Sequence, residues 1–147
     1  MTAERLLLVR LGAESFAFPL AEVIEATEAG AVTPLALLPQ GVVGQCLYRD
    51  RLLPVIDGGT LLGVPRLATA GVMLVIDVDG ERVALWVDDV IDMVPLDEAR
   101  VRAVPAGSGI AGTVLRGVVD LGAGIAAVVS MDDVRASVRA RLMTEVA

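Results

Sequence analysis

The chain contains no histidine, which removes the commonest general base, the commonest metal ligand and every His-dependent triad together. Acid–base chemistry is then left to carboxylates, and two adjacent pairs occur, Asp88-Asp89 and Asp132-Asp133. Neighbours in sequence point to opposite faces of a strand or diverge around a helix, so neither pair makes a shared acid–base site alone. The first pair reads as solvated acid and the second as helix N-terminal charge opposing the dipole. Gly107-Ser-Gly-Ile-Ala-Gly112 has the letters of a dinucleotide fingerprint, but that motif works only between a strand and a helix. Val104-Pro105-Ala106 precedes it and a strand pattern over Thr113–Asp120 follows, so it reads as a connection. Cys46 is the only cysteine, which excludes an internal disulfide and a Cys-based metal site. It reads as a small buried residue in a strand. The expectation is a protein that is not an enzyme, with no cofactor and no metal.

What remains is the chemistry of contact. Hydrophobic residues make up 55% of a chain of net charge −7, and such a chain tends to hold an apolar groove for a partner. Val23, Ile24, Leu85 and Val87 are candidates for that groove, with ordinary core as the alternative. Arg49 sits between two strand patterns at a hairpin tip, without catalytic company, and suits a contact at a protein interface.

The same charge would repel a phosphate backbone and an anionic membrane, and aromatics at 3% leave little to stack on bases. Nucleic acid is therefore not expected as a partner. Mean hydropathy is +0.71, yet the longest charge-free run, Ala29–Tyr48, is broken by Gly30, Pro34, Pro39, Gln40, Gly41, Gly44 and Gln45, which no membrane helix tolerates together. Direct membrane insertion is not expected. Met1–Arg5 leads straight into a strand pattern without the features of a signal peptide, so the expected location is the cytoplasm.

The elements that must position these residues are mostly strands. Leu6–Leu11 and Ser15–Pro19 flank Gly12-Ala13-Glu14, Val42–Tyr48 and Arg51–Ile56 flank Arg49-Asp50, and Val72–Val78 and Arg82–Val87 flank Asp79-Gly80. Each reads as a hairpin. Val90–Pro95, Val114–Asp120 and Ile125–Ser130 add strands, with Gly122-Ala123-Gly124 as a turn. Val134, Val138 and Leu142 at helical spacing, with Arg135, Arg139 and Arg141 toward the C-terminal end, predict one closing helix of about three turns. Phe16–Ala26 aligns without gaps to Val83–Met93, both reading strand, acid, Val-Ile, acid. The fold class expected is all-β, two related five-stranded barrels packed together with a short C-terminal helix. The first barrel is placed at roughly 15–66, the second at roughly 72–130 with the N-terminal strand, and the helix at roughly 131–143 within a single 147-residue domain.

The ordered series Leu20-Ala-Glu-Val-Ile-Glu25, Val32-Thr-Pro-Leu35, Pro39 with Val43-Gly44, Leu53-Pro-Val-Ile-Asp57 with Leu62-Gly63, Val72–Ile76, Ala84-Leu-Trp-Val-Asp88, Val90 and Val101–Pro105 resembles the CheW-like family over nearly the whole chain. That family includes the regulatory domain of CheA kinases. The resemblance implies two SH3-like barrels and a scaffold without catalytic activity. It further implies that a groove between barrels takes the cytoplasmic hairpin tip of a chemoreceptor, while barrel ends meet the regulatory domain of a CheA-type histidine kinase. Positions matching the kinase-facing pattern are Val23, Glu25, Gly44 and Arg49, and those matching the receptor groove are Ile24, Leu85, Val87 and Asp88.

Two departures stand out. The family's usual Asn-Leu-Arg-Gly is Leu47-Tyr48-Arg49-Asp50, and its Asp-Leu-Arg is Asp57-Gly58-Gly59. Asp tolerates positive φ less well than Gly, so a differently shaped hairpin is expected. The alternative function is a divergent module serving a pathway of pili, surface sensing or second messengers, or a free-standing regulator.

Overall fold

Leu6–Val9 and Met73–Ile76 are apolar at consecutive positions rather than alternate ones, so the strands they form must be covered on both faces. The computed structural model, which describes residues 4–34, 41–96, 100–103, 114–122 and 124–142, covers them by packing two curled sheets together. The strands are β1 (Arg5–Leu11), β2 (Glu14–Pro19), β3 (Val23–Glu28), β4 (Val32–Thr33), β5 (Val42–Tyr48), β6 (Arg51–Asp57), β7 (Val72–Val78), β8 (Glu81–Val87), β9 (Asp89–Pro95), β10 (Val101–Arg102), β11 (Leu115–Asp120) and β12 (Ile125–Val129). A short helix α1 (Gly58–Leu62) follows β6, and α2 (Met131–Leu142) ends the described chain. Among the described residues no helix is long and apolar enough to cross a membrane.

One sheet has the order β10-β11-β12-β2-β1-β9 and the other β3-β7-β8-β6-β5-β4. The two SH3-like barrels expected from the sequence are present. Each has six strands rather than five, because the two-residue β4 and β10 extend the edges. The barrel boundaries drawn from the sequence need correction. Strands β3–β8 make one sheet, while β1 and β2 join β9–β12 in the other. The chain thus consists of two repeats, β1–β6 and β7–β12, and each crosses to the opposite sheet after its first hairpin. The crossings are a 3-10 turn at Leu20–Glu22 and the single residue Asp88.

The correspondence extends to side chains. Leu6, Leu8, Ala17, Leu96, Val119, Ala126 and Val128 fill one barrel. Met73, Val75, Ala84, Cys46, Leu53 and Val55, with Ala29 packed against them, fill the other. Aligned repeat on repeat, Leu6 matches Met73, Leu8 matches Val75, Ala17 matches Ala84 and Val128 matches Val55. The parallel pairs agree as well, Ala17 with Val128 in one sheet and Ala84 with Val55 in the other. The alternate residues, Leu7, Val9, Phe16 and Phe18 on one side and Leu74, Ile76, Val83 and Leu85 on the other, meet between the sheets. Cys46 is buried in its barrel, where desolvation pushes the thiol pKa up.

Helix α2 seals this shared core with Met131, Val134 and Val138. Ser130 Oγ accepts from Asp133 N at 3.4 Å, and Asp132 and Asp133 lie in the first turn, where acid favours the dipole. The glycine run 107–112 lies outside the described residues.

Candidate partner interface

Arg49 and Asp50 form the two-residue turn between β5 and β6, with φ of 47° and 64°, and Tyr48 pairs with Arg51 directly below. Asp50 therefore takes the left-handed conformation a glycine would take there, at the modest cost Asp allows. The hairpin is thus a tight two-residue turn with both of its central residues at positive φ.

The barrel's curl brings that tip to strand β3. Arg49 Nη2 lies 3.3 Å from Glu25 Oε1 and 3.4 Å from Oε2. The guanidinium also sits 5.4 Å from the centre of the Tyr48 ring. A hydrogen bond from Tyr48 holds the Glu25 carboxyl below the usual carboxylate range, and Arg49 and Arg82 add to this against the cost of partial burial. The same bond pushes the Tyr48 phenol up. A cleft of about 620 Å³ opens beside the tip, between the β5–β6 and β7–β8 turns, lined by Arg49, Arg51 and Arg82 with Asp77 and Glu81. Three arginines thus meet at one barrel end of an acidic chain.

The β5–β6 hairpin carries a feature the sequence reading missed. Cys46 and Leu53 face inward as a cross-strand pair, so the next pair, Leu47 and Leu52, faces outward, at 70% and 62% exposure. Strand alternation contained that signal. Exposed leucines beside an arginine tip make an apolar and cationic face of the kind partner proteins cover.

The eight residues singled out by resemblance fall into four groups. Glu25 and Arg49 touch, Val23 stands half-buried beside Glu25, and Ile24 between them is bulged out of the β3–β7 ladder and exposed at 43%. Gly44 is buried, at a bulge where a Cβ would collide with the Thr33 carbonyl oxygen, so its role is to let β4 approach β5. Leu85 and Val87 are 1% and 0% exposed within the core between the sheets. Among the described residues they line no open groove, because β8 is central in its sheet and covered on both faces.

Asp88 is likewise buried, and is not the solvated acid expected from the sequence. It is 5% exposed, and its carboxylate accepts from Gly12 N at 2.6 Å, Leu67 N at 2.9 Å and Ala68 N at 2.7 Å. Burial opposes its ionisation, but those three N–H groups with Arg66 outweigh it and the pKa is lowered. Asp89 points away to solvent, so the pair faces opposite ways as expected. In the second pair Asp132 binds Arg135 at 2.8 Å. At the other departure, Asp57 caps α1 through Thr60 N at 3.3 Å and holds Arg66 Nε at 3.1 Å. Gly58 lets that helix lie on the Trp86 carbonyl. Among the described residues, no three His, Cys, Asp or Glu side chains gather to hold a metal ion.

The sequence profile of the CheW-like domain matches residues 5–139. Among solved structures, the scaffolding protein TtCheW from Thermoanaerobacter tengcongensis superposes with a TM-score of 0.79 at 18% identity, covering 88% of this chain and 85% of that one. No curated protein matched the chain.

Proposed function

This chain belongs to the CheW-like family, and from that premise we propose that it is a non-enzymatic cytoplasmic scaffold coupling chemoreceptors to a CheA-type histidine kinase. The observation that carries the proposal is the β5–β6 tip, where Arg49, Glu25 and Tyr48 are tied together beside exposed Leu47 and Leu52. A guanidinium already oriented by a carboxylate and a phenol loses less freedom when it binds than a free arginine does. Two leucines alongside supply the apolar area that charge alone lacks. Arg49, Glu25 and Val23 then form the kinase-facing surface. Ile24, of the residues assigned to the receptor groove, is the one left to meet a receptor helix, whose apolar face seats on such side chains.

Asp50 favours a second reading in which the kinase belongs to a separate pathway. It sets a carboxylate at the tip beside Arg49 and so changes the charge a partner meets. Titration of the purified chain against a receptor cytoplasmic hairpin fragment and against a kinase regulatory domain tests both readings. Saturable binding to each supports the coupling role, and binding to neither overturns it.

A further inference from the structure

Both sheets are composite: each takes one hairpin from one repeat and four strands from the other. The repeats are therefore interlocked, and a single covalent segment joins them, Gly63–Gly71 between α1 and β7. This strap is fastened to both repeats. On the first, Arg66 Nε meets Asp57 at 3.1 Å, Ala29 N meets the Gly71 carbonyl at 3.1 Å, and the Pro65 carbonyl lies 2.7 Å from where a Cβ on Gly12 would stand. On the second, Asp88 accepts from Leu67 and Ala68, Trp86 Nε1 donates to the Ala70 carbonyl at 2.6 Å, and Arg66 stacks on the Trp86 ring at 3.7 Å. Asp88 also accepts from Gly12 N, and so pins the strap to the interface between repeats.

Every strand contact between the repeats is equally available between two copies of the chain. The first repeat of one copy and the second repeat of another restore both sheets and the shared core, provided the strap can reach across. Extended, a segment of that length spans about 30 Å, enough to join two neighbouring barrel pairs. Only the strap's own bonds distinguish the closed chain from the exchanged pair.

We infer that Gly63–Gly71 is a swap hinge held shut by Asp88, and that its release lets two copies exchange repeats to form an intertwined dimer. Such a dimer carries two complete barrel pairs. On the scaffold reading above, it presents two Arg49 hairpins in one particle and binds a clustered partner with avidity.

The test uses the full chain with Arg10→Cys and Asp89→Cys, exposed register partners on β1 and β9 that belong to different repeats. Oxidised after refolding, this pair links one chain to itself when closed and two chains when exchanged. Cys46 stays buried inside its barrel. The parent, an Asp88→Asn version and a Gly12→Ala version are refolded from denaturant, dilute and concentrated, then run on a non-reducing gel and by ultracentrifugation. The expected result is interchain disulfide in native-like dimers, rising with concentration in the parent and severalfold higher in whichever release versions fold. Intrachain disulfide alone in all three, at both concentrations, overturns the exchange even if dimers form. A release version that folds and exchanges no more than the parent overturns the latch.

Discussion

Arg49 on the β5–β6 turn and Glu25 on β3 lie 24 positions apart in sequence and within 3.3 Å in space. They stand on strands at or near opposite edges of one sheet, so the barrel must curl to join them. The pair is exposed, and exposed ion pairs contribute little to stability. Arg49→Ala should therefore leave the melting temperature within about 2 °C of wild type. A fully desolvated interface arginine is worth much more, so the same change should weaken binding to a kinase regulatory domain by about tenfold or more. Titration calorimetry with melting curves as control reads both. Unchanged affinity in a folded variant removes this hairpin from the interface.

Asp50→Gly separates partner choice from turn shape. Asp50 already has φ of 64°, so glycine relieves local strain without moving the chain, and stability should hold or rise by a few tenths of a kcal/mol, about the left-handed penalty for Asp. If Asp50 sets partner choice, affinity for an ordinary chemotaxis kinase rises. Equal affinity with and without Asp50 removes it as a specificity determinant.

Much of this fold was legible because it is written in local signals. Asp79-Gly80 predicts the β7–β8 turn, and both residues take positive φ there. The Val-Ile repeat predicts two related units, and Ile24 and Ile91 prove to be bulged at matching places. What local signals cannot contain is which strand crosses to which sheet. Nothing in Phe16–Pro19 distinguishes pairing with β3–β6 from pairing with β12, so the barrel boundaries had to come from tertiary structure. The burial of Leu85, Val87 and Asp88 was hidden for a related reason. Apolar residues in a doubly covered strand look like those of a groove, and a carboxylate buried by three backbone N–H groups looks like a solvated one until those donors are located.

That Asp88 carboxylate makes a prediction about acid. Its folded pKa is lowered, so the stability it contributes is full above the unfolded value of about 3.9 and is lost as pH falls through the folded value. Replacing Asp88 with Ala leaves the buried Gly12 N–H and the part-buried Leu67 and Ala68 N–H groups without their acceptor and should cost about 3 kcal/mol at neutral pH. The variant should also lose less of its remaining stability than wild type does below about pH 4. Denaturant titrations at neutral and acid pH measure both, and parallel acid profiles for the two proteins would count against this role.

Gly44 and Gly117 test the internal symmetry directly. Each sits one residue past a bulge, with φ of 150° and 159°, and a Cβ on either would strike a facing carbonyl oxygen, that of Thr33 or of Arg102. Alanine at either site must push an edge strand away, at a cost of about 1–3 kcal/mol typical of overpacking. The expected outcome is two similar losses of stability by chemical denaturation. A large loss at one site with none at the other means that β4 and β10 do not hold equivalent places.

The last prediction sorts surface from core among the apolar residues. Ile24, Leu47 and Leu52 are 43%, 70% and 62% exposed, whereas Leu85 and Val87 are 1% and 0%. Aspartate at an exposed position keeps its water, so Ile24→Asp, Leu47→Asp and Leu52→Asp should fold with stability within about 0.5 kcal/mol of wild type. Aspartate at Leu85 or Val87 would be buried without a partner, a cost of several kcal/mol that a marginally stable domain cannot absorb, so those variants should be insoluble or unfolded. Binding then divides the exposed set by partner. Leu47→Asp and Leu52→Asp, beside the Arg49 tip, should reduce affinity for the kinase regulatory domain, and Ile24→Asp should reduce affinity for a receptor hairpin fragment. Circular dichroism establishes folding before each titration. A folded Val87→Asp protein would contradict the core placement, and folded surface variants that bind both probes like wild type would move the interface away from this end of the barrel.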